Sequence, residues 1–345
     1  MKNTLLITIA MFLFISYQAI AQDVHFSQLQ STPLLHNPSF AGKSGGDMRA
    51  IVNYRSQWGS VISSPFQSFG ASFDTRFKKG LNGSGSRLAG GFSMFSDVAG
   101  TSKMGTTLVN FTFAAHVKIN SKSFFSGGLQ GGFNQKSIDK SDLRFDNQFE
   151  GTGHNPAINP NENLSSISEV SPTISGGISY MWSDIFSQPA TGNKKINVGV
   201  AVHHYNQPRY HKISQEDLGL KFITSFKSSF GLSSSQWVVQ PAAYLALQNK
   251  ALDIVFGSLL NYSLSEGSQS HNKSSSIGFG AYYRIADAFI PTVQVQWDSF
   301  VLGMSYDINA SQLRNASNGK GGFEISIKFI SQKSAFGNKA NTRFY

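Results

Sequence analysis

The chain has 345 residues, a formal net charge of +10 at pH 7 and no cysteine. The missing cysteines exclude disulfide crosslinks and thiol catalysis, and the scattered Lys and Arg residues argue against a nucleic-acid partner. The charged fraction of 14% is below the roughly 25% of soluble domains, whereas 33 Gly and 29 Phe are high counts.

Residues 1–21 have the pattern of a secretory signal peptide. Lys2 supplies the positive charge, Leu5 to Ile15 form an apolar run, and Ala19 and Ala21 mark a small-residue cleavage site. The apolar run is shorter than the ~20 residues that a membrane-spanning helix needs. The sequence therefore predicts an exported protein whose mature chain begins after residue 21.

The next part of the chain, residues 22–46, does not have the pattern of a strand. Its stretch VHFSQLQSTPLLHNPSFAG is apolar and aromatic and lacks regular alternation. Pro33 and Pro38 also exclude a long helix. We therefore expect a separate N-terminal segment ahead of the first strand.

The rest of the chain alternates between apolar and polar residues, separated by turn sequences. In Leu108–Ile119, Phe111 and Phe113 share one face with other apolar residues, while Asn110 and Thr112 share the opposite face. Such segments are longer than the ~5–6 residues of an average strand, and their polar face suits a wet lumen. Strands are predicted to begin near residues 47, 66, 87, 105, 123, 172, 196, 217, 237, 251, 275, 288, 299 and 321.

This pattern predicts an all-β fold, a transmembrane antiparallel β-barrel of about 14 strands over residues 47–331. An even count places both ends of the barrel on one side, expected to be periplasmic, with a periplasmic tail over 332–345. The long connections 137–171, 206–217 and 309–320 then all fall outside, whereas 265–274 is long for a periplasmic turn, so a count differing by two stays open. A β-sandwich would also alternate, but would not need such long strands.

No pattern in the sequence assigns a catalytic residue, a cofactor or a metal ligand. The run GGLQGG (127–132) lacks the Lys of a phosphate-binding loop and predicts a strand bend. His203 and His204 would point to opposite faces of a strand, with His204 expected on the lipid side, so they would not chelate one metal together. The carboxylates of residues 139–151 do not have the spacing of an EF-hand loop.

Three blocks near the two ends of the chain carry more specific motifs: QDVHFSQLQSTPLLHNPSFAG (22–42), RAIVNYRSQWGSVISSPFQSFGASFD (49–74), and AYYRIADAFIP (281–291) with the segment 305–329. They resemble the mature N-terminus, the first hairpin and the C-terminal block of the PorP/SprF family of Bacteroidetes outer-membrane proteins. Val24 stands where the family usually has Pro, and Ser39 where it has Ala. The candidate plug residues are His25, Phe26, Ser27, Gln28, Pro33, Asn37, Pro38 and Gly42. The candidate barrel-wall residues are Arg49, Asn53, Tyr54, Arg55, Gln57, Trp58, Pro65, Tyr306, Asp307, Gly322 and Glu324.

The resemblance implies a non-enzymatic outer-membrane barrel that serves the type IX secretion system. The implied partners are a secreted surface adhesin with a C-terminal targeting domain, periplasmic ring and motor components, and outer-membrane lipid. Some members of the family help to export or anchor large adhesins used in gliding. Because loops on a rigid scaffold often carry function, the candidate partner contacts lie in the loop 138–170: Asp142, Arg144, Phe145, Asp146 and Phe149.

Residues 22–46 are expected to fold into the periplasmic mouth of the lumen as a short turn or helix. Asn37-Pro38 would form a turn, and Gln28 and Asn37 would bond to the wall; the alternative is a leader that orders only on a periplasmic partner. The wall motif is expected to be structural, with Trp58 at the membrane interface and Arg55 paired with a carboxylate such as Asp74.

Two other functions stay open at this point. A diffusion porin or small-molecule transporter would use a lumen of this width. A barrel enzyme ranks last, because the sequence indicates no Ser–His–Asp arrangement.

Overall fold

The computed structural model describes residues 25–44, 46–59, 61–77, 86–139, 143–161, 167–184, 194–210, 217–232, 236–264, 275–311 and 317–331. The predicted signal peptide, the predicted tail and the connection 265–274 lie outside these residues. Among the described residues, no helix is both long enough and apolar enough to cross a membrane.

Fourteen strands in the described residues form one closed antiparallel barrel, in which sequence neighbours pair and β14 closes onto β1. They are β1 (Met48–Gln57), β2 (Phe66–Arg76), β3 (Arg87–Ala99), β4 (Met104–Lys118), β5 (Ser123–Ile138), β6 (Ile167–Ser183), β7 (Lys194–His203), β8 (Lys221–Gly231), β9 (Trp237–Gln248), β10 (Ala251–Ser263), β11 (Ser275–Arg284), β12 (Ala288–Trp297), β13 (Phe300–Asn309) and β14 (Lys320–Ser331). Each strand has at least the ~9–11 residues that a tilted strand needs to cross a membrane. The predicted fold class and strand count are confirmed.

The barrel reverses the burial pattern of a soluble protein. In β4, the side chains of Phe111 and Phe113 are 61% and 53% exposed on the outer surface, whereas Asn110 and Thr112 are each only 5% exposed. An apolar outer face and a polar inner face are what a barrel in lipid requires. The alternation seen in the sequence therefore reports the lipid and lumen faces of each strand.

Connections of different length lie at the two ends of the barrel. We call the end where β1 begins and β14 ends the near end, and the opposite one the far end. The turn 119–122 between β4 and β5 lies at the near end, where the Ile119 amide donates to the Ser123 carbonyl. The long connections 139–166, 204–220 and 310–319 all follow strands that run toward the far end, which agrees with the grouping expected from the sequence.

Two short helical elements precede the barrel: α1 (Pro33–His36) and a 3-10 helix (Pro38–Phe40). Each begins with proline, whose fixed φ angle suits the first position of a helix. The Asn37 side chain caps the 3-10 helix by accepting a hydrogen bond from the Ser39 amide at 2.9 Å. The structure thus has a capped helical turn where the Asn37-Pro38 sequence indicated a turn.

Candidate functional site in the barrel lumen

Residues 25–44, which we call the plug, fill the lumen and contact both ends of the barrel. Ser27 bonds to Glu324 of β14 and to Asp307 of β13, both in the far half of the barrel. Gly42 bonds to Asp74, which is close to the last residue of β2, at the near end. The expectation of a plug confined to one mouth was therefore wrong in its extent. A chain of this length that is only partly helical can span the ~25 Å apolar height of a barrel.

At the far end, one carboxylate holds the plug backbone. Glu324 accepts hydrogen bonds from the amides of Ser27 at 2.6 Å and Gln28 at 3.2 Å. The Gln28 side chain donates to the Glu324 carbonyl at 3.1 Å and accepts from the Ser326 hydroxyl at 2.6 Å. Glu324 is fully buried, so these bonds satisfy polar groups that water does not contact.

A buried charge network surrounds this contact. Asp307 lies 2.8 Å from Arg55 and 3.3 Å from Arg284, and it accepts a hydrogen bond from the Ser27 hydroxyl at 2.8 Å. Arg55 also lies 3.3 Å from a ring nitrogen of His25. The network therefore joins three wall residues to the first two polar residues of the plug.

Arg55 pairs with an inward carboxylate, as expected, but that carboxylate is Asp307 and not Asp74, the example expected from the sequence. In the β1–β2 register Asp74 lies opposite Arg49, and the two make a bidentate ion pair at 2.8 and 3.0 Å. Arg55 lies opposite Ser68 instead, six residues further along β1 (55 − 49), which at ~3.3 Å per residue is about 20 Å away. Asp74 is therefore out of range of Arg55.

Apolar side chains of the plug pack in the middle of the lumen. Phe26 packs against Phe95 with ring centroids 6.0 Å apart, and Leu35 belongs to the same cluster. Leu34 is fully buried against small residues of the wall, including Ala89. Burial of such side chains contributes about 1.5–3 kcal/mol each, so the plug has apolar as well as polar contacts with the barrel.

Glycines in the wall make room for the helical turn of the plug. A Cβ atom on Gly128 would lie less than 3.0 Å from the Pro38 backbone, and one on Gly177 would overlap the Asn37 side chain. The Asn37 amide donates to the carbonyls of Ile178 and Val200, each at 3.1 Å. The glycine pairs that indicated strand bends therefore include positions where the plug approaches the wall backbone.

At the near end, the plug leaves the lumen through a second set of charges. The Gly42 amide donates to Asp74 at 2.6 Å, and Arg49 donates to the Phe40 carbonyl at 3.2 Å. Gly42 has φ of 70°, and a Cβ atom there would also overlap Ala89, so this position requires glycine. Polar contacts thus hold the plug at both of its ends.

The wall motif residues divide between the two faces of the barrel. Asn53, Arg55, Asp307 and Glu324 are buried toward the lumen, whereas Tyr54 and Tyr306 are 39% and 38% exposed on the outside. Gln57 lies opposite Gly322 at the far end of the seam where β1 pairs with β14. Trp58 directly follows β1, has a φ of 59° and packs edge-on against Phe66, with ring centroids 5.1 Å apart. Pro65 directly precedes Phe66 in the sequence. Six of the ten wall-motif residues named here therefore lie toward the lumen or at the seam: Asn53, Arg55, Asp307, Glu324, Gln57 and Gly322.

His204 does not lie on the lipid side. It has a φ of 56°, is 3% exposed and lies 2.9 Å from the Thr173 hydroxyl through Nδ1. Strand β7 ends at His203, so the alternation that placed His204 outside no longer applies. The expectation for His204 was wrong for this reason.

The candidate partner loop has local structure of its own at the far end. A 3-10 helix (Asp146–Gln148) is followed by a bridge between Phe149 and His154. Phe149 is 59% exposed, Arg144 and Asp146 are also exposed, and Phe145 is half-buried. Asp142 lies outside the described residues.

The sequence reasoning missed several residues that hold the plug or support its neighbours. These are Asp47, Arg76, His116, Gly177, Gly199, Lys227, Asp253, Arg284 and Lys328. The available signal was a charged residue at an inward position of a strand, such as Arg284 at the end of β11. That signal shows on which face of the strand the charged residue lies, but not which residue it pairs with.

Comparisons with known proteins were made by structure and by sequence. Similar solved structures include the Ralstonia pickettii toluene transporter TbuX (11% identity, 87% of this chain and 94% of that chain, TM-score 0.46) and the monoaromatic hydrocarbon channel CymD (12%, 88% and 94%, 0.44). A third is BamA from Haemophilus ducreyi lacking POTRA domains 1–3 (10%, 83% and 70%, 0.42). The search of curated proteins found no match.

The family comparison covers most of the sequence. The model described as type IX secretion system membrane protein PorP/SprF matches residues 18–329, which include the plug and nearly all of the barrel. The chain belongs to the PorP/SprF family of type IX secretion system membrane proteins.

Proposed function

We propose that this protein is a non-enzymatic outer-membrane barrel that supports the secretion or surface anchoring of large adhesins, as in gliding motility. It acts by binding: the far end faces the outside and holds the C-terminal targeting domain of the cargo, and the near end faces the periplasm and contacts ring and motor components. In this orientation the end of β14 lies toward the periplasm, whereas the plug begins in the far half of the lumen, where His25 lies beside Arg55, and runs toward the periplasm. Family membership carries this proposal, and the filled lumen supports it.

The filled lumen is the reason to prefer binding over diffusion. Side chains such as Leu34 and Asn37 are buried inside the barrel, and Glu324 and Asp74 hold the plug near its two ends. A diffusion porin needs a continuous aqueous path instead. The porin is therefore the weaker candidate.

The far-end loop supplies the proposed cargo contact. Phe149 presents an exposed aromatic ring, and Arg144 and Asp146 provide charges of both signs beside it. Aromatic and Arg side chains are enriched in protein interfaces. The short helix and the bridge give this part of the loop regular local structure.

Deletion of the gene tests the proposal. We expect large adhesins to be lost from the cell surface, measured by antibody labelling and by their protection from external protease, and restored by the wild-type gene. Restoration by a Phe149→Ala, Arg144→Ala variant should be incomplete, while Lys250→Ala, at an exposed position of the short β9–β10 turn outside this loop, should restore fully. Normal display of every large adhesin in the deletion strain would contradict the proposal.

A further inference from the structure

A basic cavity lies between the plug and the wall in the near half of the barrel. It has a volume of about 200 Å³, and its lining includes Lys43 and Phe40 of the plug and Arg49, Lys195 and Lys227 of the wall. No Asp or Glu lines it within the described residues. Arg49 is already neutralised by Asp74, so the lysines carry the excess positive charge.

The lysine ammonium groups bond to the plug or to polar wall atoms. Lys227 donates to the Leu29 carbonyl at 2.7 Å, and Lys328 donates to the adjacent Gln30 carbonyl at 3.1 Å. Lys43 donates to the Ser179 hydroxyl at 2.8 Å. An ammonium group has three N–H donors, so Lys227, which lines the cavity, retains donors after its bond to Leu29.

Positive charges gathered around one small cavity repel each other. Lys43, which lies outside the membrane-spanning strands, shows the effect: burial, and secondarily the neighbouring Lys195, lower the pKa of its ammonium to about 7. A bound anion would offset this repulsion and use the remaining donors.

We propose that this cavity is a binding site for a small, multiply charged oxyanion of the phosphate or polycarboxylate class. Its volume of about 200 Å³ admits a small anion such as inorganic phosphate and is far too small for a folded domain. The strands separate the cavity from lipid, so the anion is a free solute that enters from the near end. Because its ligands come from both the plug and the wall, the anion ties the two together.

The test measures binding of inorganic phosphate to the purified mature protein in detergent by isothermal titration calorimetry. We expect saturable binding of one phosphate per chain, together with a higher thermal unfolding midpoint in phosphate than in chloride at equal ionic strength, because a ligand that binds only the folded state stabilises it. Equal midpoints in the two salts, or no saturable binding, would overturn the proposal.

Variants locate the site. Lys195→Gln and Lys227→Gln should each weaken phosphate binding at least tenfold, whereas Lys194→Gln should leave it unchanged, because Lys194 is exposed and Lys195 lines the cavity. Folding of each variant is checked by its mobility on gels with and without heating. An equal loss of phosphate binding in Lys194→Gln would indicate a general charge effect and refute the site. If the Gln variants do not fold, Lys227→Arg, which keeps the positive charge, should fold and retain phosphate binding.

Discussion

Single buried carboxylates hold the plug in place. Glu324 accepts two plug amides, and Asp307 links the Ser27 hydroxyl to Arg55 and Arg284. Removing one member of such a buried network is costly, because its partners stay buried without compensation. Stability at this end of the lumen should therefore depend on individual charges.

Asp307→Asn tests this dependence. We expect it to lower the free energy of unfolding by about 3 kcal/mol, since Arg55 and Arg284 lose a shared counter-charge. Urea unfolding in lipid vesicles, followed by tryptophan fluorescence, measures the change. Asp298→Asn in the exposed β12–β13 turn is the matched control, and an equal effect of the two substitutions would contradict the network.

Gly128 and Gly131 provide a matched pair on one strand. Gly128→Ala places a methyl group against the Pro38 backbone, whereas nothing lies within 4 Å of a Cβ atom on Gly131. Overpacking of this kind costs about 1–3 kcal/mol. We expect Gly128→Ala to speed hydrogen exchange of the plug amides, measured by mass spectrometry, and Gly131→Ala to leave their exchange unchanged. Similar exchange rates in the two variants would refute the close contact between Gly128 and the plug.

The plug is the element that decides whether the lumen is open. It combines a short α-helix, a 3-10 helix and extended stretches, and its apolar side chains belong to three separate clusters of buried residues. Neither helical element is long enough to be stable alone in water. The plug therefore takes its conformation from the wall.

We expect the barrel with its plug to conduct no ions, and deletion of residues 25–44 to convert it into a conducting channel. The inward charges that bonded to the plug would then be hydrated, and ions could pass. Single-channel conductance in planar bilayers is the measurement, with Gly131→Ala as the barrel that keeps its plug. A deletion that raises no conductance and causes no loss of secretion would defeat the role of this segment as a plug or docking element.

At the scale of the whole molecule, the closed barrel separates two ends of different character. The far end has the two longest connections, 139–166 and 204–220, and the exposed Phe149, whereas the near end has the turn 119–122 and the start and finish of the barrel chain. The proposed function requires the far end to face the outside of the cell.

The lack of cysteine makes this orientation directly testable. A membrane-impermeant maleimide should label Thr152→Cys on intact cells, because this position is exposed in the far-end loop. It should label Ser121→Cys in the exposed near-end turn only after the outer membrane is permeabilised. The reverse result would overturn the orientation.

The sequence by itself determined the barrel and its strands. Twelve of the fourteen predicted starts lie within two residues of the observed ones, and the two larger differences are at β6 and β8, where the structure begins at Ile167 and Lys221. Period-2 alternation and turn residues are local signals, so one sequence is enough to read them. The even strand count then followed, and with it the grouping of the long loops.

Only the tertiary structure decided how the lumen is filled. Arg49 and Arg55 are both inward residues of β1. Arg49 pairs with Asp74 on the neighbouring strand β2, whereas Arg55 pairs with Asp307 on β13, which lies on the other side of β14. Such pairings depend on the register and on the closure of the whole barrel, which alternation does not specify. The same holds for the course of the plug, since Gly128, Gly177 and Asn37 meet only when strands far apart in sequence enclose one space.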